Sequence, residues 1–98
     1  MAAAFDDLDP LLHSQLRLAI MSLLLGVREA EFTFLKDKTG ATAGNLSTQL
    51  SKLKAAGYLT MTKEFGMSYP LTRCAITPVG IRAFETYVAS LQRYLKPE

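Results

Sequence analysis

The sequence predicts a mainly α fold carrying one small β-hairpin, on three observations. Apolar residues, mostly leucines, recur at helical spacing in separate stretches. Two short runs of strand-forming residues past the middle are divided by the turn-forming segment Gly66–Pro70. A capping residue followed by proline occurs twice, at Asp9-Pro10 and Thr77-Pro78, each time where an apolar periodicity begins. The 98 residues suit a single domain over 1–98, and 49% hydrophobic against 20% charged residues is a globular balance, not a disordered one.

The first helix is expected over 9–26. Asp9 caps it, Pro10 takes the first helical position where its missing N–H costs nothing, and Asp6 and Asp7 suit the positive end of the helix dipole. Leu12, Leu16, Ile20, Leu23 and Leu24 follow at helical spacing, and Gly26 is placed to end the run. A short second helix over 32–39 turns Phe32 and Leu35 inward, and Gly40 breaks it. The third helix, over 42–57, starts at Thr42, whose hydroxyl can accept from a free backbone N–H. Leu46, Leu50 and Leu53 share one face, and Gly57 suits the C-terminal turn. A hairpin over 59–76 pairs Leu59–Phe65 with Leu71–Ile76 and turns Leu59, Met61, Cys74 and Ile76 inward. Thr77 opens a last helix over 77–95, in which Ile81, Phe84, Val88, Leu91 and Leu95 alternate spacings of three and four, the seam of a coiled coil. Helix, helix, turn, helix, hairpin, helix is the winged helix-turn-helix order with an added C-terminal dimerisation helix.

The formal charge of +2 says little, but its distribution says more. The first third carries Asp6, Asp7, Asp9, Glu29 and Glu31 against Arg17 and Arg28. From Phe32 onward Lys36, Lys38, Lys52, Lys54, Lys63, Arg73, Arg82, Arg93 and Lys96 outweigh Asp37, Glu64, Glu85 and Glu98. One basic face is the footprint of a polyanion binder; scattered solvated lysines are the plainer reading.

The third helix sharpens this. With its leucines buried, the opposite side presents Gly44, Thr48, Ser51, Lys52 and Ala55, with Asn45, Ser47 and Lys54 on the flanks. No acid and no large apolar residue lies on that face. Short side chains let a helix approach the major groove; hydroxyls and amides bond phosphates or base edges, and lysines neutralise phosphate. Asn45 is the candidate base reader, because its amide can pair bidentately with adenine, while Lys52 and Lys54 are candidate phosphate contacts. An ordinary amphipathic surface helix would share the polarity, but not the short helix before it and the hairpin after it.

Other chemistries lack their residues. One histidine, His13, and one cysteine, Cys74, are too few for a tetrahedral metal centre, so no metal or cofactor is expected. Cys74 reads as a buried strand residue in a reducing compartment. No nucleophile with base and orienting partner, and no glycine-rich phosphate loop, can be assembled, so an enzyme is not expected. The acidic N-terminus is unlike a signal peptide, and Ile20–Val27 is too short to span a bilayer, so a cytoplasmic protein without membrane contact is expected.

The string Thr42, Gly44-Asn45-Leu46-Ser47, Leu50, Leu53, Ala56-Gly57-Tyr58 resembles the recognition helix of a small winged-helix family related to MarR-type regulators. Lys63, Phe65, Pro70, Thr72, Thr77, Gly80, Ala83-Phe84, Tyr87 and Leu91 continue the likeness downstream. Leu8-Asp9, His13, Arg17, Ile20-Met21 and Phe32-Thr33-Phe34-Leu35 continue it upstream. The resemblance implies a dimeric transcriptional regulator of double-stranded DNA, with Thr42, Asn45, Ser47, Thr48, Gln49, Ser51, Lys52, Lys54, Lys63 and Arg73 at the DNA. It identifies neither operator nor effector ligand. Three departures stand out: Gln49 where members often carry histidine, Lys54 where they are acidic, and a tip at Gly66–Pro70 without a basic pair, which leaves Lys63, Arg73 and Tyr69 for the wing. Because the core is small, a homodimer through Leu12, Leu16, Phe84, Val88, Leu91 and Leu95 is expected. The alternative use of the apolar seam and weakly charged wing is a protein–protein interaction module that does not bind DNA.

Overall fold

The computed structural model describes residues 5, 7–65 and 70–96. Its elements run α1 (Gln15–Val27), β1 (Glu29–Glu31), α2 (Phe32–Thr39), α3 (Ala43–Ala55), β2 (Leu59–Phe65), β3 (Pro70–Ile76) and α4 (Pro78–Leu95). The expected roles of Asp6, of the turn Gly66–Tyr69 and of Glu98 lie outside the described residues.

The first helix starts later than its cap signal predicts. Asp9 does cap: its carboxylate Oδ1 accepts from Leu11 N and its carbonyl from Leu12 and His13 N–H. That turn closes on itself, because Ser14 is extended at φ −151° and ψ 130°, and the continuous helix begins only at Gln15. Gly26 does not end it. The helix runs through to Val27, and Arg28 takes the left-handed side at φ 74° while its N–H reaches Leu24 O.

Helices α2 and α3 lie where their signals place them. Gly40 ends α2 at φ 72°, and the Thr42 hydroxyl accepts from Asn45 N–H at 3.2 Å. The C-terminal end of α3 is a Schellman turn: Tyr58 N–H reaches Leu53 O, Gly57 N–H reaches Lys54 O, and Gly57 supplies φ 80°. At the head of α4, Thr77 accepts from Gly80 N–H, with proline inside the first turn.

The hairpin pairs Leu59 with Ile76 through Phe65 with Pro70 without a bulge. A third strand, β1, joins it on the far side of β3, giving the order β1-β3-β2. Three residues, two of them glutamates, carry no strand periodicity. Backbone pairing makes this strand: Ala30 opposite Cys74, with Ile76 N–H donating to Arg28 O just beyond.

The core gathers Ile20, Met21 and Leu24 of α1, Leu35 of α2, Leu46, Leu50 and Leu53 of α3, Leu59 and Cys74 of the sheet, and Tyr87 of α4. Met61 and Ile76 pack against it, so the inward face of the hairpin is as expected. Leu12 is wholly enclosed in this core and offers no surface to a partner chain, which corrects its expected place at a dimer interface. Leu16 flanks a groove with Ala19, Thr39 and Asn45, on the α2–α3 side of α1. The residues of α4 that reach the core are Gly80 and Tyr87, with Ala83, Phe84 and Leu91 beside them. The rest of the seam stays outside: Val88 is 36% exposed and Leu95 76%. No helix among the described residues is long and apolar enough to cross a membrane.

Candidate nucleic-acid interface

Helix α3 buries Leu46, Leu50 and Leu53 completely and exposes every other residue from Thr42 to Ala56 except Gln49, which is half-buried. The exposed set includes Thr42, Asn45, Ser47, Thr48, Ser51, Lys52 and Lys54, so seven of the expected DNA contacts share one continuous surface. Lys52 and Lys54 lie in the last turn, where cations also complement the helix dipole. Thr48 donates its hydroxyl proton to Gly44 O at 3.0 Å, so it meets an incoming group as an acceptor. The Thr42 hydroxyl, accepting from the backbone, keeps its proton for an outside acceptor such as a phosphate.

The hairpin divides its two expected cations. In an unbulged strand successive side chains point to opposite faces. Lys63 therefore shares the face of Leu59 and Met61, the side of the sheet that packs on the helices, and extends it beyond the core. Arg73, opposite Thr62, is on the other face. There Glu64 holds its Nε at 2.6 Å, with Glu31 at 3.9 Å and Glu29 at 4.0 Å. The bond from Glu64 and its charge raise the already high Arg73 pKa. Three carboxylates around one guanidinium leave that face net acidic, and a polyanion would be repelled from it. Arg73 is thus separated from the other expected contacts by sheet face and by charge.

Gln49 is tied down rather than free on a flank. Its Oε1 accepts from Arg17 Nη1 at 2.5 Å, and its Nε2 donates to Asn45 Oδ1 at 3.0 Å. Arg17 also donates through Nε to Leu11 O. Sequence reasoning did not find this chain, although a signal existed. Arginine inside the apolar stripe of α1 must find a partner, since an unpaired charge at a half-buried position is costly.

Two further contacts brace the surface from behind. The Tyr58 hydroxyl donates to Asp9 Oδ2 at 2.6 Å, and that bond, with burial and the carboxylate charge, pushes the phenol up to about 12. His13 Nδ1 lies 2.9 Å from the Tyr87 hydroxyl, joining the same N-terminal turn to α4. Residues 9–17 thereby touch the middle of α3, its exit and the last helix.

Residues 16–95 match the family model described as a winged helix DNA-binding domain. An uncharacterized protein of Methanocaldococcus jannaschii is 33% identical over 84 residues, covering 86% of this chain and 91% of that protein. The solved transcriptional regulator homologue protein from Pyrococcus horikoshii OT3 superposes with a TM-score of 0.83 at 28% identity, over 89% of this chain and 86% of that one. The PcaV transcriptional regulator from Streptomyces coelicolor, solved in complex with its natural ligand, shares the fold with a TM-score of 0.71 at 15% identity, over 87% of this chain and 62% of that one. With its order of elements, its exposed third helix and its three-stranded sheet, the chain belongs to the winged helix DNA-binding domain family, as its likeness to MarR-related regulators implies.

Proposed function

We propose that this chain is a sequence-specific regulator of transcription that binds double-stranded DNA as a homodimer, with α3 in the major groove. The observation that carries the reading is the acid-free face of α3, from Thr42 to Lys54, on a helix capped at both ends. Affinity rests on Lys52, Lys54 and Lys63, and specificity on Asn45, Ser47, Thr48 and Ser51. Arg73 plays no part at the phosphates.

The homodimer reading is supported by the apolar surface of α4. Val88 and Leu95 stand exposed beside Phe84 and Leu91, and Leu25 of α1 borders the same groove. A second copy laid two-fold on this strip would cover it and set two α3 helices about one DNA turn apart.

Selection of bound duplexes from a random pool tests both parts. A palindromic winner, bound with an affinity that falls steeply with salt, is expected. Fluorescence anisotropy showing no duplex affinity at low salt, or affinity indifferent to salt, would end the DNA-binding reading. Sedimentation showing a monomer at micromolar concentration, unchanged by Leu95→Glu, would end the dimer.

A further inference from the structure

The geometry points to Arg17, a residue of α1 outside the reading helix, as the positioning residue that sets which end of the Asn45 amide faces the DNA. This inference rests on the DNA-binding reading above and adds to it a polarity.

Donors and acceptors fix the orientation. A guanidinium has N–H donors and no acceptor, so the end of Gln49 that meets Arg17 must be its oxygen. The nitrogen end of Gln49 is then left for Asn45, and a donor there requires the Asn45 oxygen. Both amides, each free to flip in isolation, are thereby oriented from one fixed charge. Arg17 itself is anchored by Nε on the carbonyl of Leu11. The chain ends with Asn45 Nδ2, two N–H donors at the exposed start of α3, and with one lone pair of Oδ1 already taken.

A reader of that polarity favours base edges rich in acceptors. Guanine offers N7 and O6 together in the major groove, adenine offers N7 beside a donor, and cytosine offers only its amino donor. Asn45 therefore acts as a donor to guanine, where an unconstrained asparagine would pair bidentately with adenine. The half-buried Gln49 is the link, and any residue there with the opposite donor pattern reverses the preference.

Gln49→Glu makes that reversal directly. A carboxylate accepts from Arg17 with one oxygen and from Asn45 Nδ2 with the other, so Oδ1 turns outward and favours the amino groups of adenine or cytosine. Competition among duplexes differing only at the base pair lost in Asn45→Ala measures the outcome. The wild type should prefer guanine there by about tenfold, the lower range for one good side-chain–base pairing. Gln49→Glu should invert the order with thermal unfolding close to wild type, and Gln49→Ala, which takes from Arg17 its side-chain partner and so should unfold at a lower temperature, should flatten it. An unchanged order in Gln49→Glu would overturn the inference. A second measurement needs no DNA. In the free protein, Arg17→Met should shift the side-chain amide NMR signals of both Gln49 and Asn45, and a signal of Asn45 that does not move would overturn the chain of bonds. Failure of the wild type to bind any duplex would instead overturn the proposed function, leaving the NMR result to judge the relay.

Discussion

The carbonyl oxygen of Tyr58 occupies the place a side chain on Gly80 would need: a Cβ there would stand 2.1 Å from it, and 2.9 Å from the carbonyl carbon. The same oxygen accepts from Thr77 N–H at 3.1 Å, so the first turn of α4 lies directly on the chain leaving α3. Backbone blocks the space, not a flexible side-chain end. Gly80→Ala should therefore lose about 3 kcal/mol of stability, at the upper end of overpacking costs. Gly26, inside α1 with nothing within 4 Å of its would-be Cβ, is the control, and Gly26→Ala should gain about 0.5–1 kcal/mol. Urea unfolding of the two variants separates the cases; equal effects would refute the contact.

The bond from Tyr58 to Asp9 predicts an alkaline weakness. The folded phenol titrates near 12 against 10 for the free group, so the fold favours the protonated form. That contribution is whole below pH 10 and is lost as pH rises toward 12. Tyr58→Phe should cost about 1 kcal/mol at pH 8, the worth of a typical hydrogen bond. The difference between variant and wild type should shrink by pH 11.5, measured by denaturant unfolding at both values. A constant difference would count against the bond.

Cys74 should be chemically silent in the native protein. It is fully buried opposite Met61, and burial alone pushes its thiol up to about 11 from 9, so almost no thiolate exists at neutral pH. Labelling by a thiol reagent should follow global unfolding and be negligible without denaturant. Prompt labelling at pH 7.5 would show that the sheet opens locally.

The two cations of the hairpin should behave differently toward DNA. Lys52→Ala and Lys63→Ala should each lower the slope of log affinity against log salt by about 1, the loss of one phosphate contact. Arg73→Gln should leave that slope unchanged, since Arg73 faces Glu64, Glu31 and Glu29 on the opposite side of the sheet. A lowered slope in Arg73→Gln would restore it to the interface.

Local signals made most of this fold legible. Thr42 and Thr77 are caps whose hydroxyls do what their positions announce, and Leu46, Leu50 and Leu53 are the buried stripe of α3. The short strand β1 was not legible, because Glu29-Ala30-Glu31 owes its conformation to β3, more than forty positions away in the chain. Asp9-Pro10 showed a helix start and delivered a single turn, since the hydrogen bonds at Asp9 satisfy a turn and a longer helix equally well. The coiled-coil spacing of α4 was real, yet Tyr87 reached the core ahead of Val88 and Leu95; spacing reveals an apolar strip but not which edge of it meets the rest of the chain. At the candidate site, residue types alone revealed the face of α3. They could not reveal that Glu29 and Glu31 join Glu64 around Arg73, or that Gln49 is the partner Arg17 finds, because those pairs lie far apart in the chain.

Thr77 is bonded three ways, with its backbone N–H to Tyr58 O, its hydroxyl to Gly57 O at 2.6 Å, and its hydroxyl oxygen from Gly80 N–H. This rivet ties the exit of α3 to the head of the long last helix and leaves no hinge there. In a two-fold pair each protomer would swing as one arm of a calliper, pivoting where the last helices cross. For a body 56 Å long, a tilt of about 4° moves one end by roughly the 3.4 Å rise of one nucleotide step. In such a pair the opening of the jaws, not a bend within either one, would set the spacing between the two third helices, and a substitution at the pivot would change that spacing without altering either jaw.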